Sequence, residues 1–456
     1  MPSYITGLSG GGSGSFVDQT GTPRLFWADE AWGLPENAGR WNGGDWALEY
    51  DTYFAARAAQ GFTALVCHPW GHTHTGCNNS VGNTWDGVSP WSGGVPNLNN
   101  TFWTRIDYMF TSAAARGITI FFDLTMGCDN DRGTSFAGTG VWHGVSDPNI
   151  TAAAQNIASR YLATPNLVWM YGDDTNSADE PVFDLVLAGI SAAGDNRDIS
   201  VEYYPTGTTS REDLTGSPTA TPFTWGGANA TFNYVYYYWV TYWGVEQAYK
   251  ENNQIPVVWG DGYFWGGESG TELTATSNKT MRFQVWWALA SGARGCTMGS
   301  HFVWNWPSVA QAAVAGEGWY VNSAAPVRAV IESLTGWNKL IPDLTNQLVT
   351  AGRGTRAAYN AGNWSSDSPD TYVAASRVPD GSLALLYLPA ATTVTIDQTK
   401  MAAGYSAKWI DPLTGATSTA VTGSTYNSTA KGANSGGDAD WALALFAPPY
   451  ATWTVP

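Results

Sequence analysis

One phrase recurs along about the first 300 residues and constrains this chain more than any other feature: a helix, a Gly or Pro stop, then a short apolar strand ending in a polar residue. Trp46 to Gln60 has helical spacing and Ala-rich composition, and Gly61 supplies its stop. The strand F-T-A-L-V-C-H follows at once and runs out into His68, Pro69 and Trp70. The phrase returns as helix Arg105 to Arg116, Gly117, and strand I-T-I-F-F-D-L with Asp123 near its end. It returns again as helix Ile150 to Ala163, Pro165, and strand Leu167 to Tyr171, which delivers Gly172, Asp173 and Asp174. Val182 to Ala193 and Asp198 to Tyr204 form the next helix and strand. The aromatic strand Phe232 to Trp239, helix Val245 to Asn252 and strand Ile255 to Trp259 come after them. Helix Met281 to Ser291 and strand Gly295 to Gly299 close the series. With Leu25 to Ala28 as a first strand, eight strands alternate with helices, which predicts a parallel sheet closed into a (β/α)8 TIM barrel.

The texture changes near Leu340. Helical periodicity gives way to short β-rich runs separated by turn signals. Thr371 to Arg377 and Ser382 to Leu388 flank Pro379-Asp380-Gly381, a hairpin signal, and Thr392 to Ile396, Ala407 to Ile410 and Trp441 to Phe446 read as further strands. The expected organisation is therefore an α/β barrel over 1–340, a joint at 341–344, and an antiparallel β-sandwich over 345–456. The Gly- and Ser-rich start is expected to be flexible, and it lacks the basic start and apolar core of a signal peptide.

Composition narrows the partners. Lys and Arg number 21 against 38 Asp and Glu, a formal charge of −17 that repels nucleic acid. No apolar run approaches the roughly 20 residues of a membrane span, so no membrane partner is expected. The 25 Trp and 22 Tyr suit stacking on the C–H faces of sugars. Cys67, Cys77, Cys128 and Cys296 fit no zinc spacing, although Cys77 and Cys128 lie in Gly- and Asn-rich stretches where they could pair outside a cytosol.

Barrel enzymes draw their chemistry from the carboxyl ends of the strands. The acids there are Asp29 and Glu30, Asp123, Asp173 and Asp174, and Asp261, while Glu202 lies within the fifth strand. Hydrolysis of a glycosidic bond needs two carboxyl groups on opposite sides of it, a proton donor and either a nucleophile or a base. The fourth and seventh strands face one another across a barrel mouth, so Asp174 and Asp261 are the best-placed pair. A competing metal reading starts from His68, His72 and His74. A metal-dependent barrel would want an H-x-H pair on the first strand and His ligands on later ones. Only His143 and His301 remain, neither so placed, and no metal or cofactor is expected.

These motifs carry a resemblance. F-W-A-D-E-A-W, A-A-R-A-A-Q-G-F, N-L-V-W-M-Y-G-D-D-T-N, I-P-V-V-W-G-D-G-Y and G-A-R-G-C-T-M-G-S-H-F-V-W-N resemble successive motifs of apiosidase-like glycoside hydrolases, family 140 and its relatives. Y-V-A-A-S-R-V-P-D-G-S-L-A-L-L-Y-L-P and W-I-D-P-L-T-G-A are similar to the β domain, labelled collagen-binding, that follows the barrel in those proteins. The resemblance implies a (β/α)8 glycosidase with Asp174 as acid/base and Asn176 beside it. Asp261 falls where the family usually carries a glutamate nucleophile. This departure shortens the acid by one methylene, which would either move the backbone inward or open the gap toward an inverting geometry, and it leaves Glu268 and Glu272 in reserve. The resemblance further implies that Asp29 binds a sugar hydroxyl and that His301 lines a subsite. Asp173, which replaces a common Gly, is expected to cap the loop or touch ligand. Trp32, Trp70 and Trp304 are the expected stacking platforms, with His68 and Tyr204 as further substrate contacts.

The expected function is a glycosidase, retaining in mechanism, that cleaves a furanoside-containing or branched polysaccharide outside the cell or from a virion. The alternative is a non-catalytic carbohydrate-binding or phage tail protein. A tail-borne hydrolase of cell-wall arabinan would reconcile the two.

Overall fold

The computed structural model describes residues 2–9, 14–70, 82–126, 141–175, 180–203, 230–236, 240–251, 255–260, 262, 275–300, 303, 306, 318–356, 371–448 and 453. At 126, 173–175, 180, 203, 251 and 275–277 it describes the backbone alone.

The chain opens on a hairpin, β1 (Ile5–Leu8) and β2 (Phe16–Asp18). Then come β3 (Phe26–Glu30), the short α1 (Leu34–Asn37), α2 (Trp46–Gln60), β4 (Ala64–Cys67), α3 (Asn100–Ala114) and β5 (Thr119–Met126). The series continues with α4 (Asp147–Tyr161), β6 (Leu167–Thr175), α5 (Glu180–Ala192), β7 (Ile199–Tyr203) and β8 (Asn233–Tyr236). It ends with α6 (Thr241–Glu251), β9 (Val257–Gly260), α7 (Ala275–Ala290), β10 (Gly295–Gly299) and α8 (Trp319–Ser333). Local chemistry sets these bounds. Asp45 caps α2 by accepting from the Leu48 amide, and Gly61 ends it in the left-handed conformation at φ 97°.

Strands β3 to β10 form one parallel eight-stranded sheet in the order β7-β6-β5-β4-β3-β10-β9-β8. The remaining seam is stitched where the Thr231 amide donates to the Ile199 carbonyl and the Ser200 hydroxyl donates to Phe232. The predicted (β/α)8 barrel is thus the observed fold.

Side chains alternate strictly across the barrel wall. Phe26, Ala28, Ala64, Val66, Phe121, Val168, Met170, Tyr234 and Val258 share one cluster inside the barrel. Trp27, Leu65, Cys67, Phe122, Trp169, Trp259 and Met298 pack outward into the helix layer. Of the chain's start, which is expected to be flexible, the glycine-rich 10–13 lies outside the described residues, and the strands on either side of it close the amino end of the barrel. Ile5 and Phe16 enter the interior cluster, the Thr119 hydroxyl donates to the Ile5 carbonyl at 2.6 Å, and the Leu8 amide donates to Asp198 Oδ2 at 2.7 Å.

The C-terminal region holds two antiparallel sheets. β11 (Ile341–Pro342), β13 (Ala374–Arg377), β14 (Leu383–Leu388), β16 (Ser406–Ile410), β17 (Thr417–Ala420) and β19 (Trp441–Phe446) form a six-stranded sheet. β12 (Val349–Ala351), β15 (Thr393–Ile396) and β18 (Thr425–Asn427) form a three-stranded one, with the short α9 (Ser428–Lys431) after β18. Val349, Val394 and Tyr426 of the small sheet share a core with Leu386, Trp409 and Leu443 of the large one. The opposite face of the large sheet, with Leu385, Tyr387 and Phe446, packs on barrel residues Trp286, Trp287 and Val330. The large sheet is therefore buried on both sides. The stretch expected to be a joint, 341–344, contributes its edge strand.

Candidate active site at the barrel mouth

Inner-face residues of a (β/α)8 barrel fill layers of four drawn from alternate strands. The strand registers assign Ala28, Phe121, Ser200 and Val258 to one layer, then Val66, Met170, Tyr234 and Thr297 to the next. The layer above, nearest the mouth, is Glu30, Asp123, Glu202 and Gly260. Three acids occupy positions that branched apolar residues usually fill, and all three are fully buried. Gly260 leaves room for Tyr234, since a Cβ there would lie 2.1 Å from its ring. The Tyr234 hydroxyl in turn donates to Glu30 Oε1 at 3.4 Å.

The same alternation revises the expectation for Asp29. It faces outward, where Oδ2 accepts from Arg57 Nε and from the Tyr53 hydroxyl, both at 2.6 Å. Asp29 thus ties β3 to α2 as a buried ion pair and does not point at the barrel axis as a sugar ligand would. Its neighbour Glu30 is the first-strand acid that points inward. The adjacent acids looked equivalent in the sequence, and only the phase of the alternation separates them.

Trp70 also departs from expectation. Its indole donates to the Leu124 carbonyl, and it is fully buried among Trp91, Trp103 and Trp142 between strand wall and helices. It is a packing residue there, not an open platform. Trp32 and His68 stack on each other, with ring centroids 5.5 Å apart and planes 23° from parallel, and both are buried at the base of the mouth.

The fourth strand carries the acidic exit. β6 extends to Thr175, so the backbone of Asp173 and Asp174 belongs to its carboxyl end. The ladder is broken on both flanks at this point. Asp123 and Met126 on β5 face Met170 and Gly172, and Tyr171 and Thr175 face Val201 and Tyr203 on β7. Such bulges re-aim a strand end and gather at barrel rims. Gly172, at φ 117°, makes this one possible. Its amide donates to Thr125 Oγ1 at 3.1 Å.

Asp123 supports the same corner. Its Oδ1 accepts from the Thr125 amide at 2.6 Å and from the Thr125 hydroxyl at 3.1 Å, while Oδ2 is buried with no partner among the described residues. Burial pushes the Asp123 carboxyl up to about 7 against those two bonds. In the sequence Asp123 reads as an acid near the end of the third strand and Glu202 as one within the fifth. Their inward position at the third and fifth strands is the signal that could have raised them.

Asn176, Tyr204, Asp261, His301 and Trp304 lie outside the described residues, as do His72, His74, Glu268, Glu272, Cys77 and Cys128. Cys67 and Cys296 are buried thiols. Among the described residues no group of three His, Cys, Asp or Glu could hold a metal ion, and no helix is long and apolar enough to cross a membrane.

The comparisons with known proteins agree with this geometry. The family model described as "Apiosidase-like, catalytic domain" matches residues 12–340. A solved glycoside hydrolase superposes with a TM-score of 0.70 at 17% identity, covering 98% of this chain and 97% of its own. A glycoside hydrolase family 5 structure from Bacteroides vulgatus gives a TM-score of 0.68 at 16% identity, covering 97% and 94%. A family 27 β-L-arabinopyranosidase from Geobacillus stearothermophilus gives 0.50 at 10% identity, covering 94% and 96%. At such identities these structures speak for the fold alone. No curated protein matches the chain.

Proposed function

The chain belongs to the apiosidase-like family and is a glycoside hydrolase; from that premise we propose that Asp174 and Asp261 are its catalytic carboxyl pair. The observation that carries the proposal is the way the fourth strand ends. A glycine-dependent bulge, braced by Thr125, sets the backbone of Asp174 at the carboxyl rim. The seventh strand ends at Gly260, the residue before Asp261, and is three places from the fourth around the ring. Carboxyl groups from those two ends would approach a sugar from different sides.

The reaction we propose is retaining. Asp261 attacks the anomeric carbon as the bond to the leaving oxygen breaks, and Asp174 gives its proton to that oxygen. Asp174, now a carboxylate, takes a proton from water, whose oxygen displaces Asp261 from the sugar. Retention requires the two carboxyl groups to stand about 5–5.5 Å apart. Asp261 is one methylene shorter than the usual glutamate, so retention would ask for a backbone nearer the axis there, and a wider gap would make the enzyme inverting. A furanoside-containing or branched polysaccharide is the substrate class we propose, with Trp32 and His68 as the floor of the sugar site. Such a substrate places the enzyme outside the cell or on a virion.

Hydrolysis of a glycan panel, including apiose-bearing pectin and cell-wall arabinogalactan, tests this reading with wild type, Asp174→Asn and Asp261→Asn. Release by the wild type should fall about 10²–10⁴-fold in each variant. Activity that survives Asp261→Asn moves the nucleophile to Glu268 or Glu272. Binding without release from any glycan defeats the catalytic assignment. Polarimetry or NMR of the first-formed anomer decides between retention and inversion.

A further inference from the structure

We propose that Asp123 and Thr125 are positioning residues for the strand-four carboxylates, acting through the amide of Gly172. The inference rests on the reading of Asp174 as proton donor and adds the device that holds it.

A buried carboxyl is costly unless it is paired or hydrogen-bonded. Among the described residues no cation meets Asp123, and its hydrogen bonds go to one neighbour. Both bonds that it accepts, at 2.6 and 3.1 Å, come from Thr125. They fix the Thr125 hydroxyl so that its proton points to Asp123 and a lone pair points to the next strand, where the Gly172 amide donates at 3.1 Å. The ladder is out of step here, since three residues of β5, counted from Asp123 to Met126, advance against two of β6. A side-chain oxygen therefore receives the Gly172 amide. On the other flank four residues of β6 advance against two of β7. The chain that leads to Asp173 and Asp174 is thus released from regular pairing on both sides and tethered at Gly172. A misplacement of about 1 Å at a reacting group can cost two orders of magnitude in rate.

The arrangement works in either protonation state of Asp123. The accepted bonds fall on Oδ1, and Oδ2 is free to carry a proton. Cys67 on β4 and Tyr171 on β6, which feel its charge, are both held protonated by burial, and Glu30 and Glu202 are the other buried acids of its layer. An amide at position 123 preserves the acceptor. This separates positioning from chemistry, because a catalytic carboxyl does not survive conversion to an amide.

The test uses the full chain and the glycan that the wild type hydrolyses, with Asp123→Asn, Asp123→Ala, Thr125→Val, Thr125→Ser and Asp174→Asn. Val66→Ala, an interior change that touches none of these bonds, is the control for lost stability. Thr125→Val and Asp123→Ala should lower kcat by about ten-fold or more with KM held within about two-fold. Thr125→Ser and Asp123→Asn should stay within about three-fold of wild type. The basic limb of the kcat/KM profile, which reports the proton donor, should move in Thr125→Val and return in Thr125→Ser. Should Thr125→Val fail to fold, Thr125→Ala makes the same comparison. Wild-type kcat in Thr125→Val, or losses no larger than those of Val66→Ala at equal Tm, would overturn the inference. So would an Asp123→Asn variant as inactive as Asp123→Ala. Full activity in Asp174→Asn would defeat the underlying reading instead. An inactive Asp174→Asn beside a fully active Thr125→Val would defeat only this one.

Discussion

Gly172 lies so close to Glu202 on the neighbouring strand that a Cβ on it would stand 1.9 Å from the Glu202 carbonyl oxygen. The contact is with backbone, so no rotamer change relieves it, and φ at Gly172 is 117° besides. Gly172→Ala must therefore push β6 away from β7 at the residue that precedes Asp173 and Asp174. We expect a loss of more than about 2 kcal/mol in denaturant unfolding, or no soluble protein. Any folded remnant should lose kcat more than affinity. A variant with wild-type stability and rate would show that the strand end is not held as described.

Asp29 and Arg57 make a contrasting prediction. The pair is buried on both sides, closes at 2.6 Å, and shares Tyr53. Removing one partner leaves an uncompensated charge, so Arg57→Ala should cost roughly 3–5 kcal/mol. Because Asp29 faces the helix layer, KM measured on folded Asp29→Asn should remain near wild type. A KM raised about ten-fold or more with stability intact would restore Asp29 to the sugar site.

These outcomes mark where the sequence was legible. Helix Trp46–Gln60 and strand Gly295–Gly299 can be read to the residue, because a cap or a glycine punctuates each. The start of α3 at Asn100, five residues before the predicted Arg105, depends on the Asn99 cap that accepts from Thr101, a signal hidden among neighbouring asparagines. The mouth was harder. Two acids side by side on a strand point to opposite faces, and which faces the axis depends on strands far away in sequence. The fate of Trp70 depends likewise on Trp91, Trp103 and Trp142, which meet it only after the barrel closes. The N-terminal hairpin escaped notice because its glycines read as flexibility, while Ile5 and Phe16 supply the apolar plug.

The barrel and the β region should unfold together. Arg282 on α7 donates to Asp440 at 2.9 Å and to Asp438 at 2.7 Å, and Tyr387 also donates to Asp440. The indoles of Trp286 and Trp287 donate to the carbonyls of Pro412 and Tyr372. Around these bonds one apolar cluster spans both regions. A chain ending at Leu340 would expose that surface, so we expect it to aggregate, and we expect a single calorimetric transition for the whole protein. A soluble, active 1–340 fragment would show the interface to be dispensable. In the intact chain Asp440→Ala should lower Tm, since Arg282 is then buried without its main partner.

Asp123 should leave a mark on the pH dependence of stability. Its carboxyl titrates near the ordinary carboxylate range when unfolded and at about 7 when folded, because burial opposes its charge. Between those values the folded state binds the extra proton, so stability is greatest on the acid side and declines as pH rises toward 7. Above that value the contribution is flat. A shift of this size corresponds to a few kcal/mol, to order of magnitude, which makes the slope measurable beside those of other groups. Asn at this position cannot titrate. The difference in unfolding free energy between wild type and Asp123→Asn should therefore change between about pH 4 and 7 and level off above. Parallel curves would mean that Asp123 ionises in the folded protein as it does in the unfolded one, and that its burial is relieved by water reaching the acidic layer.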